Sequence, residues 1–600
     1  MTASTDRIAA LRQELKQREL DGFVVPLTDE HMSEYVGEYA NRLRWLTGFQ
    51  GSAGSAAVLQ DKAAIFTDGR YKVQVRDQVD GGLYSYQDVP RVMAADWLEQ
   101  EAADGMRIGY DAWLATRKWV NGTEKRLRAK NMALVPVADN PIDAVWTDRP
   151  APSAAPIKVH GEAFAGKSSS EKRADIAKWL TEKKADAVVI AALDSVAWLF
   201  NIRGTDVSRT PVALAFAIVK KDGTASLFTA PEKVTPEVEA HLGPDITVRP
   251  PDAFPDALAD LAKTGAAIAL DPDTCVAAIF QIVGDAGGRI IEKRDPVILA
   301  KAVKNEAELS GTRAAHVRDG AALTRFLKWF SETASSGDLD ELTAAKKLED
   351  LRRESNMLHD LSFDTISAAG PNAALPHYRV SPETNRNIEC NSIYLVDSGG
   401  QYSDGTTDVT RTLINGKPTQ EMKERYTRVL KGHITLATQI FPKGTRGSQL
   451  DALARMHLWR AGVDYGHGTG HGVGSFLSVH EGPQRIVAAT NPAAAPDEPL
   501  QAGMILSNEP GYYKEGAFGI RIENLVIVVE KDVDGGEGEW LGFETITFAP
   551  IDLTLVELSM LTDEERAWLN GYHAEVQEKI SPELKSPEDM SWLATATRAV

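Results

Sequence analysis

Six hundred residues, 43% hydrophobic and 25% charged, suffice for three or four domains with full apolar cores, and no apolar run approaches the roughly 18 residues of a membrane span, which excludes a transmembrane protein. Acidic residues outnumber basic ones by 85 to 66, a net charge of −19 that favours solubility and argues against a phosphate-neutralising nucleic-acid binder. Two cysteines, Cys275 and Cys390, cannot build a disulfide framework, and residues 1–20 are charged without a signal-peptide apolar stretch, so a reducing, cytoplasmic location is expected.

Along the chain, a charged helix is expected over residues 7–20, then a buried strand at 21–25. The segment 43–49 follows, and a hairpin-like 56–62 ends at Ile65-Phe66-Thr67. Residues 149–156 (RPAPSAAP) are Pro/Ala/Ser-rich and aperiodic, a linker. The same order then returns: helix 172–184, strand 186–190, segment 196–202, and strand 216–221 with an Asp222-Gly223 turn ending at Leu227-Phe228-Thr229. This reads as one α/β unit present twice. A second break falls at Asp295-Pro296. Beyond it Asn305 and Glu308 form a capping box, and Leu323, Phe326, Leu327 and Phe330 fall at i, i+3, i+4 and i+7 of an amphipathic helix. A further helix is expected over 340–354. Past residue 390 short strands dominate, which predicts an α+β region with a largely antiparallel sheet.

Candidate chemistry collects there in three stretches. Ile393-Tyr394-Leu395-Val396-Asp397 is an apolar strand ending in an acid, and Ser398-Gly399-Gly400 leads on to Asp404-Gly405-Thr406-Thr407-Asp408. Asp404-Gly405 is a hairpin-turn signal. A two-residue hairpin centred on it sets Asp408 opposite Gln401, four residues or about 13 Å from Asp397, with both acids on one face. That is too far for one ligand cluster, so Gly399-Gly400 are expected to kink or bulge the strand and draw the acids together. Asp404 itself reads as a plain turn residue.

The second stretch is Gly466-His467-Gly468-Thr469-Gly470-His471-Gly472-Val473-Gly474, followed by His480-Glu481. Its glycines exclude a helical zinc pair, and its spacing does not meet the phosphate-cradling G-x-G-x-x-G pattern. Glycine at alternate positions lets backbone pack closely around whatever the histidines hold. The third stretch supplies Ser507-Asn508-Glu509-Pro510 and Ile520-Arg521-Ile522-Glu523. Each places a carboxylate beside apolar strand, where it is costly to bury unpaired, and Arg521 is expected on the same strand face as Glu523, holding it ionised. Gathered together, Asp397, Asp408, Glu509 and Glu523 could not all stay charged without cations. Two divalent ions would balance them, and oxygen-rich ligation with one imidazole, His471, suits Mn2+ better than a typical zinc site.

These residues resemble a known family. The last region is similar to the pita-bread metallopeptidases, whose five ligands run Asp, Asp, His, Glu, Glu, and the whole chain resembles the three-domain cytosolic Xaa-Pro aminopeptidases. The likeness is carried by Ala300-Lys301-Ala302-Val303-Lys304-Asn305, Leu375-Pro376-His377-Tyr378, the two Asp-bearing segments, the Gly/His stretch and Val479-His480-Glu481-Gly482-Pro483. It implies two creatinase-like α/β domains, 1–150 and 157–298, then a pita-bread catalytic domain with a C-terminal extension, 299–600. Asp397, Asp408, His471, Glu509 and Glu523 are the implied metal ligands, Asp408 and Glu523 bridging both ions, Asp397 completing one site and His471 with Glu509 the other. The implied reaction is hydrolysis of an N-terminal Xaa-Pro bond by a hydroxide between the two ions. In it Glu509 handles the water's proton, His377, His467 and His480 polarise the carbonyl, stabilise the oxyanion and assist proton transfer, and Arg521 orients Glu523. Two Mn2+ are the implied cofactors, with Zn2+ or Co2+ as alternatives. The implied partners are peptides with proline second and, from family precedent and residues 553–600, a second copy of the chain in a homodimer; no nucleic acid or membrane is expected.

Two other readings compete. Prolidases take only Xaa-Pro dipeptides, but two large front domains resemble the aminopeptidase more. Metal-free relatives on this fold, binding modules and creatinase, lack the ligands, whereas all five positions here are ligand-competent. Residues 488–499 (AATNPAAAPDEP) match nothing in the family pattern and are expected to form a flexible surface loop, a passive insertion.

Overall fold

The computed structural model describes residues 3–490 and 497–600 and divides into two compact units, Met1–Ile298 and Leu299–Val600. The first unit contains two six-stranded sheets of one topology. Strands Gly22–Pro26, Ser55–Leu59, Ala63–Thr67, Ser85–Asp88, Arg107–Asp111 and Ala133–Val137 lie in the order 4-3-2-1-5-6. Strands Ala187–Ile190, Phe216–Lys220, Ala225–Phe228, Ile246–Arg249, Ala267–Leu270 and Arg289–Glu292 repeat that order. In both, the first three strands pair antiparallel and the remaining pairs are parallel. Helices Ser4–Gln17 and Ser169–Lys183 precede the first strand of each.

Alternation explains why these strands read as unbroken apolar runs. Phe23 and Val25 pack on Ile8, Leu11 and Leu15, while Val24 packs on the other face with Trp97, Leu98 and Leu127. Residues 149–156 contain neither helix nor strand, as their composition predicts.

The second unit opens on the helix Glu306–Thr333, capped as expected. Asn305 Oδ1 accepts from the N–H groups of Ala307 and Glu308, and the Glu308 carboxylate accepts from Asn305 N–H. Its apolar face, Phe326, Leu327 and Phe330, is buried with Leu348 and Leu351 of the helix Glu341–Arg353 and with Tyr394 and Val396. Strands Ile440–Pro442, Trp540–Thr545, Asn524–Lys531, Ile505–Asn508, Gly470–Gly472 and Glu481–Ile486 form one sheet in that order. Ile366–Ala369, Ser392–Ser398 and Val409–Asn415 form another, and the pairings in both are antiparallel. No helix among the described residues is long and apolar enough to cross a membrane. Of the loop expected at 488–499, residues 491–496 lie outside the described residues; next to them Asp497 Oδ2 accepts from Ser448 Oγ at 2.6 Å.

Candidate metal centre

The candidate ligands come from three strand ends. In the first, Asp397 pairs with Thr410, Ser398 with Val409, and Tyr402 with Gly405. The two-residue turn is therefore Ser403-Asp404, one position earlier than the Asp-Gly signal predicts. The continuing register sets Asp408 opposite Gly399 rather than Gln401, two residues or about 7 Å from Asp397 instead of four. A partner outside the hairpin favours this register. Arg318 makes a two-pronged bond to Asp404, 3.1 and 2.7 Å, with its guanidinium 5.1 Å from the centre of the Tyr402 ring. Asp404 is thus a turn residue, but also the clamp of the turn.

Of the expected kink or bulge, no residue is inserted, but the strand is interrupted at Gly399, Ser392–Ser398 and Gly400–Tyr402 belonging to different sheets. One half of the ladder opens there: Thr407 N–H still donates to Gly400 O at 2.9 Å, but Gly400 N–H turns to the Thr407 hydroxyl at 2.9 Å, and Ser362 N–H donates to the Gly399 carbonyl at 3.1 Å. A methyl group on Gly399 would lie 1.9 Å from Thr407 O and 2.3 Å from Ser362 Oγ. Gly399→Ala is therefore expected to spread the hairpin beside Asp408, costing about 1–3 kcal/mol of stability and weakening metal binding. Denaturant unfolding and a metal titration check this; wild-type values in both would show that the hairpin yields freely.

The second strand end carries His471 in Gly470–Gly472. Glycines flank it because a Cβ at Gly470 would meet Ser507 O at 2.0 Å and one at Gly472 would meet Gln484 Nε2 at 2.3 Å. His471 N–H donates to Ser507 Oγ at 2.9 Å, and that hydroxyl donates to Glu509 Oε1 at 3.0 Å. His471 Nδ1 donates to Gly472 O at 2.9 Å, which leaves Nε2 as the ligand atom. Nε2 lies 3.4 Å from Asp408 Oδ2 and 3.5 Å from Glu509 Oε1. The third end is where Asn508 faces Asn524, so Glu509 and Glu523, one residue beyond each, sit across from one another. Ligand atoms of Asp408, His471 and Glu523 lie within 4.8 Å of one another.

The electrostatics follow from this crowding. Burial, reinforced by Asp408, raises the Glu523 carboxyl well above its usual range. Burial also raises Glu509, and it pushes Asp397 up to about 7 despite the opposing Arg521. Burial acts to lower His471, but Asp408 and Glu509 outweigh it and hold the imidazole at about 9. Carboxylates this close cannot all ionise in a bare cavity. Asp397 Oδ2 is held by Arg521 Nη2 at 2.6 Å, whereas Oδ1 is buried with no hydrogen-bond partner among the described residues. Four carboxylates, one of them with an uncommitted buried oxygen, and an imidazole oriented through Nδ1 fit two divalent cations.

Arg521 does not share a strand with Glu523. It ends the strand Phe518–Arg521, and Glu523 lies in the connection to Asn524–Lys531, where strand alternation no longer applies. Its direct carboxylate partner is Asp397. Glu523 is reached through Thr410, whose hydroxyl accepts from Arg521 Nε at 3.1 Å and donates to Glu523 Oε2 at 2.7 Å. Arg521 Nη1 also donates to the Tyr513 hydroxyl at 2.6 Å, which is 2.8 Å from His467 Nε2. His467 Nδ1 donates to Gly468 O at 2.7 Å, so a neutral His467 accepts from Tyr513. No pattern in the sequence singles out Tyr513; the pairing of Gly511–Lys514 with Phe518–Arg521 delivers it. The ring of His480 stands edge-on to that of His471, centroids 4.4 Å apart. His377 is half-buried in the turn after residues 370–374, next to Tyr378, which donates to Glu341 Oε2 at 2.8 Å.

The chain is similar to known proteins along its whole length. Residues 310–530 match the model of metallopeptidase family M24 and 539–600 that of its C-terminal region, while 7–145 and 148–308 each match a creatinase/prolidase N-terminal domain. A probable Xaa-Pro aminopeptidase P from Aspergillus fumigatus is 42% identical across 100% of this chain and 93% of its own length. One from Aspergillus niger is 41% identical across 100% and 99%. The X-prolyl aminopeptidase of Caenorhabditis elegans, described as a cytosolic enzyme with a di-nuclear active site, is 36% identical with a TM-score of 0.95, covering 100% of both chains. The X-Pro aminopeptidase of Thermotoga maritima is 26% identical with a TM-score of 0.51, over 63% of this chain and 98% of its own.

Proposed function

This chain belongs to metallopeptidase family M24, and on that footing we propose that it is a dinuclear metal-dependent aminopeptidase hydrolysing the bond between an N-terminal residue and a proline in second position. The convergence of carboxylates from three strand ends on one imidazole carries this reading. Asp408 and Glu523 would be shared by both ions, Asp397 completing one set and His471 with Glu509 the other. Manganese is the metal proposed, with zinc and cobalt as the alternatives. When bound, such ions supply Lewis acidity, lowering the pKa of a water and polarising the scissile carbonyl.

The chain's own groups do the rest. Glu509, 3.5 Å from His471 Nε2, would take the proton of the attacking water and hold it at a carboxylate oxygen. His480, beside His471, would help pass a proton to the leaving prolyl nitrogen. Arg521 orients Asp397 and, through Thr410, Glu523. His377 and His467 would serve the carbonyl and the oxyanion. For His467 there is a condition: with Nδ1 donating to Gly468 O and Nε2 accepting from Tyr513, it can donate only after gaining a second proton or losing Tyr513. Division into 1–150, 157–298 and 299–600, a cytosolic location and a homodimer belong to the same reading.

The test compares an Xaa-Pro dipeptide with a longer Xaa-Pro-Xaa peptide. Cleavage of the longer peptide, lost with a chelator and restored by Mn2+, is expected. Cleavage of the dipeptide alone would make the enzyme a prolidase, and full activity after metal removal would refute the metal dependence.

A further inference from the structure

We infer that Arg455 is a positioning residue for the reaction, setting His467 by pinning the loop that carries it; this rests on the reading of His467 as a catalytic group. Residues 464–469 (Asp464-Tyr465-Gly466-His467-Gly468-Thr469) are the second part of the connection from the helix Gly447–Trp459 to the strand Gly470–Gly472 and form neither helix nor strand themselves. Packing does not hold the two inner glycines. A Cβ on Gly466 would meet nothing within 4 Å, and one on Gly468 nothing nearer than 3.6 Å. Backbone so free works against a histidine that must stay in one place.

A single buried guanidinium supplies the constraint. Arg455 Nη1 donates to Tyr465 O at 2.8 Å and to Asp464 Oδ1 at 2.9 Å, and Nη2 donates to the carbonyl of His467 itself at 2.6 Å. The guanidinium lies 3.8 Å from the centre of the Tyr465 ring. Asp451, one helical turn earlier, accepts from Arg455 Nε at 2.7 Å and from Nη2 at 3.2 Å, and also accepts from the Thr469 hydroxyl at 2.6 Å. Two side chains on one helix face thus fix the loop before, at and after His467, while Tyr513 holds the ring from the far side. The planar fork of arginine is essential to this. A lysine ammonium is a point charge and cannot hold Asp451, Tyr465 O and His467 O in that fixed geometry. The proposed chemistry gives Arg455 no contact with substrate, so its effect passes through His467.

The experiment is a double-mutant cycle on the full-length, metal-loaded enzyme with Arg455→Lys and His467→Ala. Arg455→Lys is expected to lower kcat by about 10–100-fold with KM and bound metal close to wild type; because it leaves buried acceptors short of a donor it also lowers the unfolding midpoint, so kcat is read well below that midpoint. In the His467→Ala background the same change is expected to leave kcat unmoved, because the group it positions is gone. Asp451→Asn, which loosens Arg455 while keeping its volume, is expected to give the same pattern at smaller size and serves if Arg455→Lys does not fold. Wild-type kcat in Arg455→Lys, losses that multiply in the double variant, or losses that merely track metal content would overturn the inference. Wild-type kcat in His467→Ala would instead remove the reading beneath it.

Discussion

Asp408→Ala is expected to lower turnover of an Xaa-Pro-Xaa peptide by more than about 100-fold and to remove bound metal in parallel, since changes one layer further out already cost about 10–100-fold. Asp408 lies 3.4 Å from His471 Nε2, and its ligand atom is within 4.8 Å of that of Glu523, so it is the carboxylate from which both would lose a common partner. Stability should respond differently with and without metal. In metal-free protein two effects oppose each other: removing Asp408 relieves the pressure that pushes the Glu523 carboxyl up, but takes away the carboxylate that holds the His471 imidazole up. In metal-loaded protein the variant forgoes the stabilisation that a bound ion confers, about 2.7 kcal/mol at a hundredfold excess over Kd. Metal analysis, peptide cleavage and thermal unfolding with and without Mn2+ read all three. A variant that keeps its metal and is stabilised by it would falsify the assignment of Asp408 as a ligand.

The second large effect is on the fold that carries the site. Arg411 is fully buried and donates to the carbonyls of Glu523 (2.7 Å), Ala549 (2.9 Å) and Pro550 (3.1 Å), to Asn524 Oδ1 (2.9 Å) and to the Tyr572 hydroxyl (2.8 Å). It therefore ties the strand Val409–Asn415 to a candidate ligand and to the helix Asp563–Ile580. Arg411→Met keeps much of the volume and strands the buried carbonyls of Glu523 and Pro550, each worth about 1–3 kcal/mol when left unpaired, while Ala549 O keeps the Tyr572 hydroxyl at 2.9 Å. A loss of about 3 kcal/mol or more in urea unfolding is expected, together with weaker metal binding through Glu523. A change below about 1 kcal/mol would mean that water or a shifted backbone satisfies those groups instead. The same contacts explain why the C-terminal stretch is part of the catalytic unit rather than an appendage to it.

Much of this architecture was legible before any coordinates. The linker at 149–156 and the repeated helix-strand order announced a duplicated α/β unit, and the Asn305/Glu308 box marked the start of the long helix. These are local signals: capping, periodicity and turn chemistry act within a few residues, so a linear sequence displays them. The candidate ligands were legible as residue types for a related reason. An acid beside apolar strand, or histidine spaced by glycine, is costly without a partner and stands out wherever it occurs.

What the linear sequence could not decide is which partner each group meets. The Asp-Gly pair favoured a turn one position late because its propensity is local, whereas the register answers to Arg318, 86 residues away from Asp404. Strand alternation assigned Arg521 to Glu523, but the strand ends at Arg521 and the guanidinium turns to Asp397, 124 residues distant. Tyr513 and Arg455 carried no signal because their roles consist of bonds to other elements. Sequence alone thus determined the elements, their repetition and the inventory of candidate metal ligands. Tertiary structure alone decided hairpin register, hydrogen-bond partners and the holding of the Gly/His loop, since each depends on contacts between elements that only folding brings within reach.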